Sequence, residues 1–223
     1  HALAAQSALD ILREGGNALE AMIAAAATIA VVYPHMNSIG GDSFWVIHRP
    51  GHAMGGIDAC GAAAGLAARD WYAERGIAQA IPFRGPVAAN TVAGTLSGWG
   101  AAHALSRRSL GGRMSLRRLL DDAIHYARQG VPVTNSQHRL TGAKMPELKD
   151  QAGFAQTFLH QGQAPATGSV FLQTKLAATL EQIARAGTED FYRGDLARSM
   201  ARDLEALGSP LRYRQSLGLG SYL

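Results

Sequence analysis

Hydrophobic residues recur at helical spacing along most of this chain and condense into a strand-like run in only one region. Between residues 2 and 14, Leu3, Ala5, Leu9 and Leu12 fall on roughly one face, with Gln6, Asp10 and Arg13 off it, which predicts an amphipathic helix. Gly15 and Gly16 close that helix, because glycine takes the left-handed backbone of a helix end without a Cβ clash. Asn17 is placed to cap the next helix, and Glu20, three residues on, to reach back to the Asn17 amide. From residue 18 to 32 the only charge is Glu20. A helix apolar on all sides is expected to be buried on all sides, and this one is too short and too rich in alanine to read as a membrane span. Pro34 ends it.

A glycine-rich loop, Asn37-Ser38-Ile39-Gly40-Gly41-Asp42, then leads into Ser43–His48, rich in aromatic and β-branched residues as strands are. A turn at Arg49-Pro50-Gly51 predicts a hairpin returning over His52–Asp58, with Gly55-Gly56 as a weak point or bulge. Both strands are nearly uncharged, so the sheet is expected to be covered on both faces. Cys60–Gly65 reads as a loop of small residues, Leu66–Arg75 as a short helix, and Ile81–Pro86 as a punctuated loop. Further helices are predicted over 91–106, 115–129 and 134 to about 144. The middle one has Leu116, Leu119, Leu120, Ala123, Ile124 and Ala127 as its stripe and Gly130 at its end. Residues 150–168 read as a surface loop. Leu172, Leu176, Leu180 and Ile183 mark another helix ended by Gly187, and Thr188 is placed to cap a last one bearing Leu196, Met200 and Leu204. No solenoid period and no linker is visible, so 1–223 reads as a single domain.

Composition supports a packed core: apolar residues make up 47% of the 223 and charged ones 17%, which argues against disorder. The net charge of +4 is spread out, and Arg107-Arg108 and Arg117-Arg118 read as solvated helix faces; no nucleic-acid motif accompanies them. The one cysteine, Cys60, rules out an internal disulfide framework. No targeting segment or membrane span is seen.

Residues alone leave the chemistry open. There is no P-loop, no H-E-x-x-H and no G-x-S-x-G; Gly40-Gly41 precedes a strand, whereas a phosphate loop opens a helix. His48, His52, Asp58 and Cys60 are close enough in sequence to be weighed as metal ligands, but alternation along a hairpin scatters them over two faces. Cys60 as a nucleophile would need a base that spacing cannot name, against its simpler reading as a small buried thiol.

Six stretches change this picture: Leu12–Ala21, Tyr33-Pro34 and Ile39–Phe44, then Asn90-Thr91-Val92-Ala93-Gly94, Leu119–Val133 and Gly187–Ala197. In this order they resemble the gamma-glutamyltranspeptidase family over residues 1 to about 208. The resemblance implies the N-terminal-nucleophile hydrolase fold, an α+β four-layer αββα sandwich of which this chain is the large-subunit part. It also implies a zymogen that cuts itself into two subunits. The new N-terminal threonine of the small subunit then attacks an amide, with its own α-amine as base, and backbone amides hold the oxyanion. No stretch here matches that threonine, so no catalytic nucleophile is expected in this chain. The expected partners are the small subunit from the same precursor and a small-molecule amide, with room for a dimer of such pairs. No cofactor, metal, nucleic acid or membrane is implied. Within 209–223 the chain looks shortened, as Arg212-Tyr213-Arg214 and Gln215–Leu223 resemble separate family segments, so a gap or truncation is expected there.

Where members acting on gamma-glutamyl groups carry an arginine for the substrate's α-carboxylate, this sequence has Cys60, within Ile57-Asp58-Ala59-Cys60-Gly61-Ala62. A thiol cannot supply the charged bidentate fork that suits a carboxylate. The wording of this segment, with Tyr33-Pro34-His35-Met36 and Gly40–Trp45, is similar to the family's oxamate amidohydrolase branch. That branch implies hydrolysis of a small acid amide such as oxamate. The substrate-binding candidates are then Cys60, Arg84 as the cation for the carboxylate, and Asn90, which replaces a usual glycine, as a donor. The plainer alternatives are a surface arginine and a helix cap. A gamma-glutamyl transferase or hydrolase, and a member that no longer matures and only binds, remain the other functions. An oxamate hydrolase would be cytoplasmic; a gamma-glutamyl transferase would be periplasmic or extracellular.

Overall fold

The computed structural model describes residues 1–213; residues 214–223, including part of the expected gap, lie outside the described residues. Helix α2 (Ala18–Val32) is the axle. Ten of its 15 residues are buried, including Ile23, Ala27 and Val31, as its all-round apolar sequence requires. Its N-terminus is closed by the expected capping box: Asn17 accepts from the Leu19 and Glu20 amides, and the Glu20 carboxylate accepts from the Asn17 amide at 2.9 Å. Helix α1 (Ala2–Arg13) packs along it, α5 (Leu116–Gln129) packs on its other side, and α8 (Thr174–Ala186) packs on α5. Helix α5 follows its predicted stripe, with Leu119, Leu120, Ala123 and Ala127 buried.

The face of α1 differs from expectation. Ala4, Ser7 and Ile11 are buried, while Leu9 and Leu12 are exposed. At 3.6 residues per turn, positions 4, 7 and 11 form one stripe and 5, 9 and 12 the opposite one. Small residues let α1 approach α2 closely, and the Thr28 hydroxyl donates to the Ser7 hydroxyl across the contact at 3.0 Å.

The strand-like region is the expected antiparallel hairpin, β1 (Ser43–Ile47) with β2 (Gly55–Ala59). Gly55 and Gly56 pair in register with Ile47 and Val46, so the expected bulge is absent. Helix α4 (Thr95–Ser109) packs on this hairpin at Gly98, where an added Cβ would sit 2.3 Å from Ser43 Oγ and 3.0 Å from the Ala59 Cβ; its neighbour Trp99 is buried in the core. Among the described residues the other face is open, with Phe44 68% and Val46 81% exposed, contrary to the expectation of a doubly covered sheet.

Helix α3 (Arg69–Ala73) is shorter than expected, and α4 begins at Thr95 with Gly94 at its cap position. Helix α6 (Asn135–Leu148) starts on Thr134 as expected and runs through Pro146. The stretch 150–168 contains one short helix, α7 (Phe154–Phe158). Two-residue strands β3 (Val131–Pro132) and β4 (Val170–Phe171) pair across it. The last predicted helix is two, α9 (Asp190–Arg193) and α10 (Asp195–Ala206), because Asp190 accepts from the Asp195 and Leu196 amides and restarts the helix after Gly194. No helix of the described residues is long and apolar enough to cross a membrane.

Candidate functional site

Three segments meet at the end of the hairpin remote from its turn. Because Ser43 pairs with Ala59, the next residues outward, Asp42 and Cys60, face each other. Asp42 Oδ1 accepts from the Gly61 amide at 3.0 Å, and its Oδ2 lies 3.7 Å from Cys60 Sγ. Asp58 accepts from the Cys60 amide at 3.0 Å. The third segment, 90–97, lies against both: Ala62 accepts from the Val92 amide at 2.9 Å and Asn90 from the Ala64 amide at 2.8 Å. Contact is so close that a Cβ on Gly61 would sit 1.4 Å from the Val92 carbonyl oxygen, and one on Gly94 1.9 Å from that of Ala59. Only glycine fits either place.

Two hydroxyls hold the junction. Thr95 donates its amide and its hydroxyl to the Gly41 carbonyl, at 2.8 and 2.7 Å, which fixes the glycine loop to the start of α4. Tyr192, from α9, accepts from the Ser97 amide and donates to the Ala93 carbonyl, both at 2.8 Å. Burial pushes this phenol up to about 12, so it stays a neutral donor at any ordinary pH. Beside the junction opens a cleft of about 300 Å³, lined by Gly40, Ala62, Thr91, Val92, Tyr192 and Arg212 among others.

Cys60 is exposed at the rim. Its thiol is pushed up, first by burial of the sulfur within the chain and then by the Asp42 and Asp58 carboxylates, so it is a poor source of thiolate. Asn90 contributes backbone to the ladder against Ala64, and it does not cap α4. Arg84 stands apart: it pairs with Glu147 of α6 at 3.6 Å, in a loop where Phe83 is 95% exposed. No hydrogen bond or ion pair links Arg84 to Cys60 or Asn90 among the described residues. Of the three sequence candidates, then, the structure places Cys60 and Asn90 on one ladder and Arg84 elsewhere.

Sequence reasoning passed over Asp42, Tyr192 and Arg212. Asp42 was accessible, because hairpin register alone sets it opposite Cys60. Tyr192 and Arg212 reach the site from far along the chain, and no local spacing signals that. Arg212 is the cation at the cleft, with its guanidinium committed to Glu205 and to the Ser209 and Leu211 carbonyls. The four residues weighed as metal ligands split, His48 and His52 lying toward the turn end of the hairpin and Asp58 and Cys60 at the other. No three His, Cys, Asp or Glu side chains among the described residues are placed to hold a metal ion.

The family model described as gamma-glutamyltranspeptidase matches residues 4–214. Among curated proteins, the oxamate amidohydrolase proenzyme of Klebsiella pneumoniae is 54% identical over 211 residues, 95% of this chain and 39% of that protein. The glutathione hydrolase-like YwrD proenzyme of Bacillus subtilis is 39% identical over 210 residues, 94% of this chain and 38% of that protein. The chain thus spans well under half the length of either. Among solved structures, Helicobacter pylori gamma-glutamyltranspeptidase superposes with a TM-score of 0.86 at 27% identity, over 96% of this chain and 60% of that one. Cephalosporin acylase from Bacillus halodurans superposes with a TM-score of 0.84 at 33% identity, over 95% of this chain and 39% of that one.

Proposed function

The chain belongs to the gamma-glutamyltranspeptidase family, and from that premise we propose that it is the large subunit of an amidohydrolase that cleaves a small acid amide such as oxamate. Its fold, mostly helical around a hairpin, is the large-subunit part of the N-terminal-nucleophile hydrolase sandwich. The proenzyme names of its relatives support a companion subunit cut from the same precursor. That subunit's N-terminal threonine would attack the amide carbon, passing its hydroxyl proton to its own α-amine. The proton then goes to the leaving nitrogen, ammonia departs, and water releases the acyl group from the threonine ester. With oxamate the products are ammonia and oxalate.

The observation that carries this reading is residue 60. A gamma-glutamyl site needs a cation there for the α-carboxylate, and this chain has a neutral thiol flanked by Asp42 and Asp58. Arg84 is the proposed cation for the small substrate's carboxylate and Asn90 a proposed donor to it. The names of relatives support the alternative, a gamma-glutamyl hydrolase or transferase: glutathione hydrolase proenzymes of Pseudomonas aeruginosa and Escherichia coli are 32% and 28% identical to this chain.

The test is to express the whole precursor, follow its conversion to two chains, identify the new N-terminus and measure ammonia release from oxamate. The expected results are a new N-terminal threonine and steady ammonia release, with the release lost when that threonine is replaced by alanine. A matured enzyme that leaves oxamate intact overturns it.

A further inference from the structure

We infer that Asp42 is a specificity-determining residue: its carboxylate, fixed at the end of the hairpin, excludes acyl groups that carry their negative charge several bonds from the scissile amide. The inference rests on the proposed function, and adds to the loss of an attractive cation a repulsive element against the wrong substrate.

The position of the charge is set from both sides. Gly61 donates to Asp42 Oδ1 at 3.0 Å, and Thr95 ties down the backbone: its hydroxyl donates to the Gly41 carbonyl at 2.7 Å and lies 3.2 Å from that of Asp42. The second carboxylate oxygen is thereby directed to Cys60, 3.7 Å from its sulfur. Asp58 adds a second carboxylate within the same turn of chain, bonded to the Cys60 amide. Neither aspartate has an ion-pair partner among the described residues; the ion pairs of this chain engage other acids, such as Glu14, Glu147 and Glu205. Their negative field is felt by the thiol, which both help to push up.

Substrate length decides which acids meet this field. In oxamate the carboxylate is one carbon–carbon bond from the reacting carbonyl, about 1.5 Å. In a gamma-glutamyl or glutaryl group it is four bonds away; on the proposed reading, in which residue 60 faces the far end of the acyl group, that carboxylate would meet the charge of Asp42. A short acid amide stops before that point.

The test compares two chromogenic anilides on the mature two-chain enzyme: glutaryl anilide, with the distal carboxylate, and pentanoyl anilide, of equal carbon length and neutral. Asp42→Asn keeps Oδ1 as acceptor for Gly61 and removes only the charge. The ratio of kcat/KM, glutaryl over pentanoyl, is expected to rise at least about tenfold in this variant. A ratio unchanged within about twofold overturns the inference. Should the variant fail to mature, the native enzyme decides: the ratio is expected to climb several-fold between low and high salt, because screening weakens repulsion, and a salt-independent ratio overturns the inference. Ammonia release from oxamate, measured alongside on native enzyme, tests the underlying function separately, since its absence overturns that reading whatever the ratio.

Discussion

At the scale of single residues, the substitution of Cys60 for a carboxylate-binding arginine has a reciprocal. Cys60→Arg would place a guanidinium between Asp42 and Asp58, which would hold it as they now hold the backbone of this corner. A charge-assisted bond of this kind contributes about 2 kcal/mol, so gamma-glutamyl anilide turnover should rise roughly thirtyfold in kcat/KM; no gain would show that residue 60 does not face the substrate. Arg84→Ala tests the proposed carboxylate ligand. Its pair with Glu147 is half exposed and screened by solvent, so its loss should leave stability nearly unchanged. The KM for oxamate should nevertheless rise about tenfold, and an unchanged KM would pass the role to another cation such as Arg212. His35 supplies a pH effect. Both its ring nitrogens are shielded and have no hydrogen-bond partner among the described residues, and burial lowers its basicity from the ordinary 6.5. The folded state therefore resists protonation, so its stability is full above pH 6.5 and falls as pH drops below it. Denaturation midpoints at pH 7 and pH 5 should differ in native protein, and differ less in His35→Phe.

At the scale of elements, the turn between α1 and α2 holds more than its two helices. Glu20, fully buried, accepts from the Asn17 amide at 2.9 Å and from the Met114 amide at 2.8 Å. Asn17 in turn donates to the Ser106 hydroxyl and the Leu110 carbonyl, at 2.8 and 3.3 Å. One capping box thus anchors the distant corner between α4 and α5. Glu20→Ala leaves two amides without acceptors, at about 1–3 kcal/mol each. Glu20→Gln keeps one acceptor and should lose less, as urea denaturation would register. The local half of this device was legible, because cap residues act within a turn; the half that joins Ser106 and Met114 was not, because its partners lie about ninety residues on. The same division explains α1. Its sequence has apolar residues on two sides, and only the neighbour α2 decides that Ala4, Ser7 and Ile11 face inward. At the other end of the chain, a continuous apolar spacing concealed the break at Gly194, which the Asp190 side chain makes.

For the whole molecule, the open face of the β1–β2 hairpin is the boundary of what this chain can explain. Phe44 and Val46 alternate with the inward Trp45 and Ile47, as a strand covered on both sides would require, yet nothing among the described residues covers the outer side. The proposed cover is the companion subunit. Val46→Asp in the precursor should leave the large chain folded but weaken its hold on the small one, seen as separate species on gel filtration after maturation. The expectation of a doubly covered sheet fails for the described residues, because strand composition records that a face is apolar and not which chain covers it. What ties residue 60 to function is substrate choice, and one measurement addresses it: kcat/KM of the mature native enzyme for oxamate set beside that for a gamma-glutamyl anilide. The account predicts that oxamate is preferred by at least about a hundredfold. Preference for the anilide would contradict it.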